Sequence, residues 1–256
     1  MHLTEVAEKA LPALWYENAP SHFDLRVAWW IKALAVALCA LLAVLFLDQR
    51  VAVWADAHRI PDLMHQKTLA EGGGTYGDSG REMMFLEQWG QGICSVIVVI
   101  AVALLDPAGR RRALAIAMAC LITVALTHLM KDIIGRSRPF VAPHSQDGSW
   151  VWGGPTMGFH KGSAWGSFPS AHTTAAFALA SALAWFYPRG RALFMALAVV
   201  TATQRVWHTA HYLSDVIAGM GIGVFVARVS LGGKLAGRLI AMGPPVVQRW
   251  WLKDHS

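Results

Sequence analysis

The sequence predicts an all-α integral membrane protein, a bundle of about six transmembrane helices. The first reason is composition: 55% of the 256 residues are hydrophobic and only 15% are charged, against about 25% charged in soluble domains. The second is grouping, because the apolar residues collect into six stretches near the about 20 residues that cross the hydrocarbon core. The third is where the basic residues fall. Twenty-two Lys and Arg against sixteen Asp and Glu give a formal net charge of +6, which in a soluble protein would point to nucleic acid. Here the charge sits in short clusters beside apolar runs, as in Arg110-Arg111-Arg112 and Arg189-Gly190-Arg191. Membrane topology accounts for that placement, and no nucleic-acid partner is expected.

Residues 1–26 hold Glu5, Glu8, Glu17 and Asp24, so they lack the basic start and the cleavage site of a signal peptide. They read as a cytoplasmic or interfacial N-terminal segment. The first span, 27–47, is therefore retained. A long loop, 48–87, mixes acids and bases. The next spans are 88–105 and 112–130, followed by three with more polar ends, 171–187, 192–208 and 211–231. No internal repeat divides residues 27–231, which read as one six-span domain. Residues 232–256 form a basic tail with Lys234, Arg238, Arg249 and Lys253.

Basic residues in short connections mark the cytoplasmic side. Arg110, Arg111 and Arg112 lie between the second and third spans, Arg189 and Arg191 between the fourth and fifth, and the tail follows the sixth. All three fall on one side, which puts both termini inside and the first loop outside. Trp29, Trp30, Trp89, Trp185 and Trp207 fall at span ends, where an amphipathic ring suits the headgroup level. Lys32 and Arg228 sit near cytoplasmic ends, within snorkelling reach of water. Cys39, Cys94 and Cys120 lie inside apolar stretches without metal-ligand or disulfide spacing and read as small buried apolar residues.

Polar residues return in three clusters, and this topology puts all three on the outer face. The first runs from Lys131 to Pro139 at the end of the third span. The second is Phe168-Pro169-Ser170-Ala171-His172, opening the fourth. The third holds Arg205, His211 and Asp215, between the fifth span and the sixth. His211 and Asp215 are four apart, so on a helix they share a face, and the carboxylate can fix the imidazole tautomer. Ser170 and His172 start a helix, where free N–H groups and the dipole favour a phosphate. Lys131, Arg138 and Arg205 add cationic donors suited to a phosphoryl group. Two histidines beside such a cradle suggest one nucleophile and one general acid.

Taken in order, Lys131…Arg138-Pro139, Pro169-Ser170-Ala171-His172 and Gln204-Arg205…His211…Asp215 resemble the signature of the type 2 phosphatidic acid phosphatase (PAP2) superfamily. That resemblance implies an all-helical membrane bundle and metal-independent removal of phosphate from a lipid, with no cofactor. By position it makes His211 the nucleophile that forms a phosphohistidine, Asp215 its orienting carboxylate and His172 the acid for the leaving oxygen. Lys131, Arg138, Ser170 and Arg205 become the phosphate cradle. Two positions depart from the signature: Ala171 stands for the usual glycine, and Gln204 for the usual serine. Alanine strains the site only if that backbone needs a positive φ. Arg136, His208 and Asp132 lie close by but match no signature position.

The expected substrate is a lipid phosphate or pyrophosphate, entering from the outer leaflet of a bacterial inner membrane with its tails between helices. The loop from Val141 to Phe168, with Trp150, Trp152, Phe159 and Trp165, would cover the site or rest on the headgroups. A lipid phosphotransferase would use the same residues. The vanadium haloperoxidases share the oxyanion pocket, but the resemblance to them implies a soluble protein. A non-catalytic transporter would place its polar groups near the midplane rather than at one interface.

Overall fold

A computed structural model of the chain describes residues 27–58, 85–141, 152–155 and 162–232. The N-terminal segment 1–26, most of the first loop, Trp150, Phe159 and the basic tail lie outside those residues. The described residues are helical, with one isolated bridge between Arg136 and Trp152.

The first rod is longer than its apolar run. Helix α1 (Val27–Leu42) passes through a π-helical segment, Ala43–Leu47, into α2 (Asp48–His58). Residues 48–58, expected in a loop, continue the helix. Asp48 looks like the end of an apolar stretch, yet its side chain is buried and satisfied by distant partners. A π-turn re-registers the helix, and beyond it Asp48, Ala52 and Ala55 face inward.

The remaining rods are α3 (Gly92–Leu105), α4 (Gly109–Ile134), α5 (Ala171–Phe186), α6 (Arg191–Trp207) and α7 (Leu213–Gly232). A 3-10 turn, Glu87–Gly90, leads into α3. Among the described residues, three helices are long and apolar enough to cross a bilayer: Trp30–His58, Gly109–Ile134 and Leu213–Gly232. Gly92–Leu105 and Ala171–Phe186 are apolar but shorter. The weak apolar signal of α5 has a packing reason, because its neighbours are α4, α6 and α7 rather than lipid, and Thr173 to Leu183 are almost all buried. By contrast α3 and α4 present Ile93, Ile97, Leu104, Leu121, Leu129 and Ile133 outward, a band that suits hydrocarbon. Cys39 is exposed on α1 and not buried as expected; its apolar setting is the outer surface of the bundle.

Close packing of α7 on α5 fixes the site. Gly219 and Gly223, four apart, let the two backbones approach, since a Cβ on Gly223 would lie 2.4 Å from the Thr174 carbonyl oxygen. Small residues at this spacing are how membrane helices gain van der Waals contact. One turn earlier on the same face stands Asp215, whose carbonyl accepts the Ser170 N–H at 3.1 Å. At the other end of the bundle, Asp106 accepts from Arg112 Nη1 at 2.6 Å and from the Tyr187 hydroxyl. The two short basic connections therefore meet at one end. Trp89 and Trp185, expected at span ends, are partly buried and pack against the core cluster of Ile116, Leu179 and Leu183.

Candidate active site

Helix α4 ends because Gly135 takes the left-handed conformation, φ 58°, with its N–H on the Lys131 carbonyl at 2.9 Å, a common helix stop. The chain then crosses the end of the bundle. Arg136 O accepts the Ser167 N–H at 3.0 Å, and Arg138 N–H donates to Ala164 O at 2.9 Å. These backbone bonds lay the Arg136–Arg138 strip against the approach to α5. Helix α6 ends through Thr209, at φ 50°, a conformation a β-branched residue rarely adopts. That reversal brings the His211 N–H to the Arg205 carbonyl at 3.2 Å.

His211 is buried, and its Nδ1 lies 2.8 Å from the Ser167 carbonyl oxygen. A carbonyl only accepts, so Nδ1 carries the proton and Nε2 keeps its lone pair. Asp215 Oδ2 is 3.7 Å from Nδ1, beyond hydrogen-bond range. The direct contact expected from the four-residue spacing is loosened because α7 begins at Leu213, leaving His211 in the preceding turn. Asp215 is held by other groups: Arg136 Nη1 at 2.5 Å, Ser167 Oγ at 2.5 Å and the Tyr212 N–H at 2.9 Å. The last is the reach-back of a helix-capping acid. Ser167 thus touches both residues, with its carbonyl on His211 and its hydroxyl on Asp215.

Arg136 is wholly buried, the largest such side chain among the described residues. Besides Asp215 it donates to Ser214 Oγ at 2.7 Å and to Asp48 Oδ2 at 2.8 Å. The rings of Tyr212 and Trp152 lie on its guanidinium, with centroids at 4.2 and 4.6 Å. Asp48 also accepts the Ser214 N–H at 2.9 Å and its hydroxyl at 2.5 Å. Two carboxylates from opposite ends of the chain thus share one guanidinium behind His211.

Of the four residues expected to form a phosphate cradle, Lys131, Arg138 and Ser170 lie against the segments that carry Ser167, His211 and Asp215. Lys131 Nζ donates to the Gly166 carbonyl, next to Ser167. Arg138 Nη1 reaches Ala210 O at 3.3 Å, next to His211. Ser170 stands at the N-terminal flank of α5 without a side-chain capping bond, and its Oγ accepts from Thr173 Oγ1 at 3.0 Å. His172 lies one residue into the same helix, partly buried. Ala171 is already helical and does not have a positive φ, so its methyl brings no backbone strain. Arg205 is placed differently from the other cradle residues. Its Nε donates to Gln204 Oε1 at 2.6 Å and its Nη2 to Glu87. Burial pushes the His211 imidazole down to about 3, with Arg138 and Lys131 adding to the effect and Asp215 opposing it. The ring is neutral at neutral pH, with Nε2 available.

Beside these groups runs an apolar cavity of about 810 Å³ between α1 and α7, lined by Val36, Ala40, Val44, Met220, Ile222 and Phe225. Trp152 and Phe168 line it near the site, and Trp30 and Lys32 at its far end. Phe168 follows Ser167 directly, so the cavity adjoins the His211 pocket. Lys32 precedes Asp48 by sixteen residues, roughly 24 Å of helix.

Asp48, Glu87 and Ser167 were not singled out from the sequence, and Arg136 was set aside. The available signals were an acid against the end of the first apolar run and an arginine between Lys131 and Arg138. The His208 N–H donates to the Gln204 carbonyl at 3.0 Å where α6 ends. Among the described residues, no group of three or more His, Cys, Asp or Glu side chains is arranged to hold a metal ion.

A sequence model of the PAP2 superfamily matches residues 112–234. Two curated relatives, both lipid A 1-phosphatases, are each 41% identical: that of Rhizobium johnstonii over 100 residues and that of Rhizobium etli over 98. The matches cover 39% and 38% of this chain, and 38% and 40% of the relatives, so the chain spans about two-fifths of their length. The crystal structure of LpxE from Aquifex aeolicus aligns with a TM-score of 0.47 at 19% identity, covering 73% of this chain and 95% of that one. That of the first transmembrane PAP2 type phosphatidylglycerolphosphate phosphatase, from Bacillus subtilis, gives 0.47 at 16% identity, covering 80% and 96%.

Proposed function

We propose, for a chain that belongs to the PAP2 superfamily through residues 112–234, that it is a metal-independent lipid phosphatase working through a phosphohistidine. The observation that carries this reading is the His211 bond to Ser167 O, which leaves Nε2 as an unprotonated nucleophile within the field of Lys131 and Arg138. In the first step Nε2 attacks phosphorus, the bond to the lipid oxygen breaks, and His172 gives that oxygen its proton. In the second, water attacks the phosphohistidine, His172 takes the water proton, and the P–N bond breaks to return His211. Asp215 lies close enough to stabilise the positive charge that builds on the imidazole. Most of the acceleration comes from positioning and charge neutralisation, as in phosphoryl transfer generally.

The headgroup sits at the outer face, and an acyl chain lies in the cavity between α1 and α7. The tie between Asp106 and Tyr187 supports that orientation, because it gathers the basic connections at one end, while the Lys131–Gly166 and Asp48–Arg136 contacts gather the site residues elsewhere. The relatives' names make a lipid A phosphate the first substrate to try. The test compares wild type and His211→Ala in detergent with EDTA on lipid A, phosphatidate, phosphatidylglycerophosphate and undecaprenyl pyrophosphate. Phosphate release by wild type alone, fastest from lipid A, is expected. Release by the mutant at the wild-type rate would overturn the nucleophile. Transfer of phosphate to a second lipid, without free phosphate, would make the protein a phosphotransferase.

A further inference from the structure

The acid that meets Arg205 comes from the turn before α3, outside every signature position. Glu87 Oε2 accepts from Arg205 Nη2 and from Gln204 Nε2 at 3.0 Å, while Gln204 Oε1 accepts from Arg205 Nε at 2.6 Å. The three side chains close a ring. Outside the ring, Gln91 Nε2 donates to Glu87 Oε1 at 3.1 Å. The Glu87 and Arg205 side chains are 19% and 10% exposed, which shields the pair from solvent.

The turn carrying Glu87 is itself fixed against the site. A Cβ on Gly90 would stand 2.5 Å from the His172 carbonyl oxygen and 2.9 Å from Thr201 Cγ2. Thr201 Oγ1 donates to Leu86 O at 3.1 Å. One rigid turn therefore touches the backbone of His172 and the guanidinium of Arg205 together.

We propose that Glu87 is a positioning residue, which with Gln204 holds the Arg205 guanidinium in the plane needed to receive a phosphate. The inference rests on Arg205 being a phosphate ligand, as the proposed function has it. A guanidinium binds an oxyanion through paired N–H groups in a fixed fork, so its orientation sets affinity as much as its charge does. The clamp engages Nε and Nη2 and fixes that orientation before substrate arrives. It also gives a reason for Gln204. A serine there is too short to bridge Arg205 and Glu87, so the glutamine and the glutamate form a matched pair.

The experiment measures binding of orthovanadate, a phosphate mimic, by calorimetry on the full chain in detergent, beside KM and kcat on whichever lipid wild type cleaves. Glu87→Ala is expected to weaken orthovanadate and raise KM about tenfold with kcat little changed, as when an interaction shared by ground and transition states is lost. Glu87→Gln, which keeps an acceptor and loses the charge, should fall between, and Gln204→Ser should resemble it. In an Arg205→Ala background the Glu87 substitution should have no further effect. If Glu87→Ala does not fold, Glu87→Gln and Gln204→Ser decide the matter. Unchanged or tighter orthovanadate binding in the variants would overturn the proposal, the tighter case meaning that Glu87 competes with phosphate. Wild-type binding lost to none of these changes, Arg205→Ala included, would overturn it too. If wild type binds orthovanadate but cleaves no lipid, the phosphatase reading fails while the role of Glu87 is still decided by binding.

Discussion

Replacing Asp48 with alanine tests whether the buried charge network behind His211 is a brace for the site. The carboxylate makes three hydrogen bonds, to Arg136 Nη2, Ser214 Oγ and the Ser214 N–H. A hydrogen bond to a charged group is worth about 1.5–3 kcal/mol, so three of them add plainly to about 4.5–9 kcal/mol. The sum overcounts, because Arg136 keeps Asp215 and its two aromatic faces. Breaking a buried ion pair from one side costs about 3–5 kcal/mol, and that range is the expected loss. For a chain of this length it corresponds to roughly 6–20 °C in apparent Tm. Asp48→Asn, which can still accept the Ser214 N–H, should lose roughly half as much. The assay is thermal unfolding in detergent at one scan rate, with phosphate release measured below the transition. Activity should fall as well, since Arg136 is then free to draw Asp215 away from Ser167 and His211. An Asp48→Ala protein that melts within about 2 °C of wild type, a shift of no more than about 1 kcal/mol, would refute the reasoning.

Three further outcomes are expected. Ser167→Ala keeps the carbonyl on His211 but removes the hydroxyl from Asp215, so kcat should drop about tenfold or more, equal to about 1.4 kcal/mol, with KM near wild type in steady-state assays. Gly90→Ala should cost about 1–3 kcal/mol by overpacking, because its Cβ meets the His172 carbonyl, whereas Gly92→Ala meets nothing within 4 Å and should be neutral or slightly stabilising; paired melting curves check both. His211 has its imidazole held at about 3 by burial, against about 6.5 in an unfolded chain. Between those values the unfolded state binds the extra proton, so stability is fully present above about pH 6.5 and falls as pH drops, by up to about 1.4 kcal/mol per unit. A pH series of melting temperatures should show that slope reduced in His211→Gln.

Composition and periodicity fixed the class of this protein and its three polar clusters, since a bilayer demands apolar length and a helix start, a glycine stop and a Lys/Arg cluster are local features. Gly135 ending α4, Ser170 preceding the start of α5 and Gly219 with Gly223 on one face of α7 follow from residues that are neighbours in sequence or one turn apart. The same locality misled at Asp48, where a charge after an apolar run reads as the end of a span. At His211 and Asp215 the spacing of four brings the two side chains within 3.7 Å, short of a direct hydrogen bond because α7 begins only at Leu213.

What the tertiary structure decided is which charges share a dielectric. Asp48 and Arg136 are 88 positions apart, and Glu87 and Arg205 are 118 apart; no sequence window contains either pair. Each of these buried or half-buried groups needs a counter-charge or a donor that only packing can deliver. The residues that do the proposed chemistry could therefore be read from the sequence, because chemistry fixes their types and spacing. Those that hold them in place could not, because any chain segment that the fold brings near can supply a carboxylate.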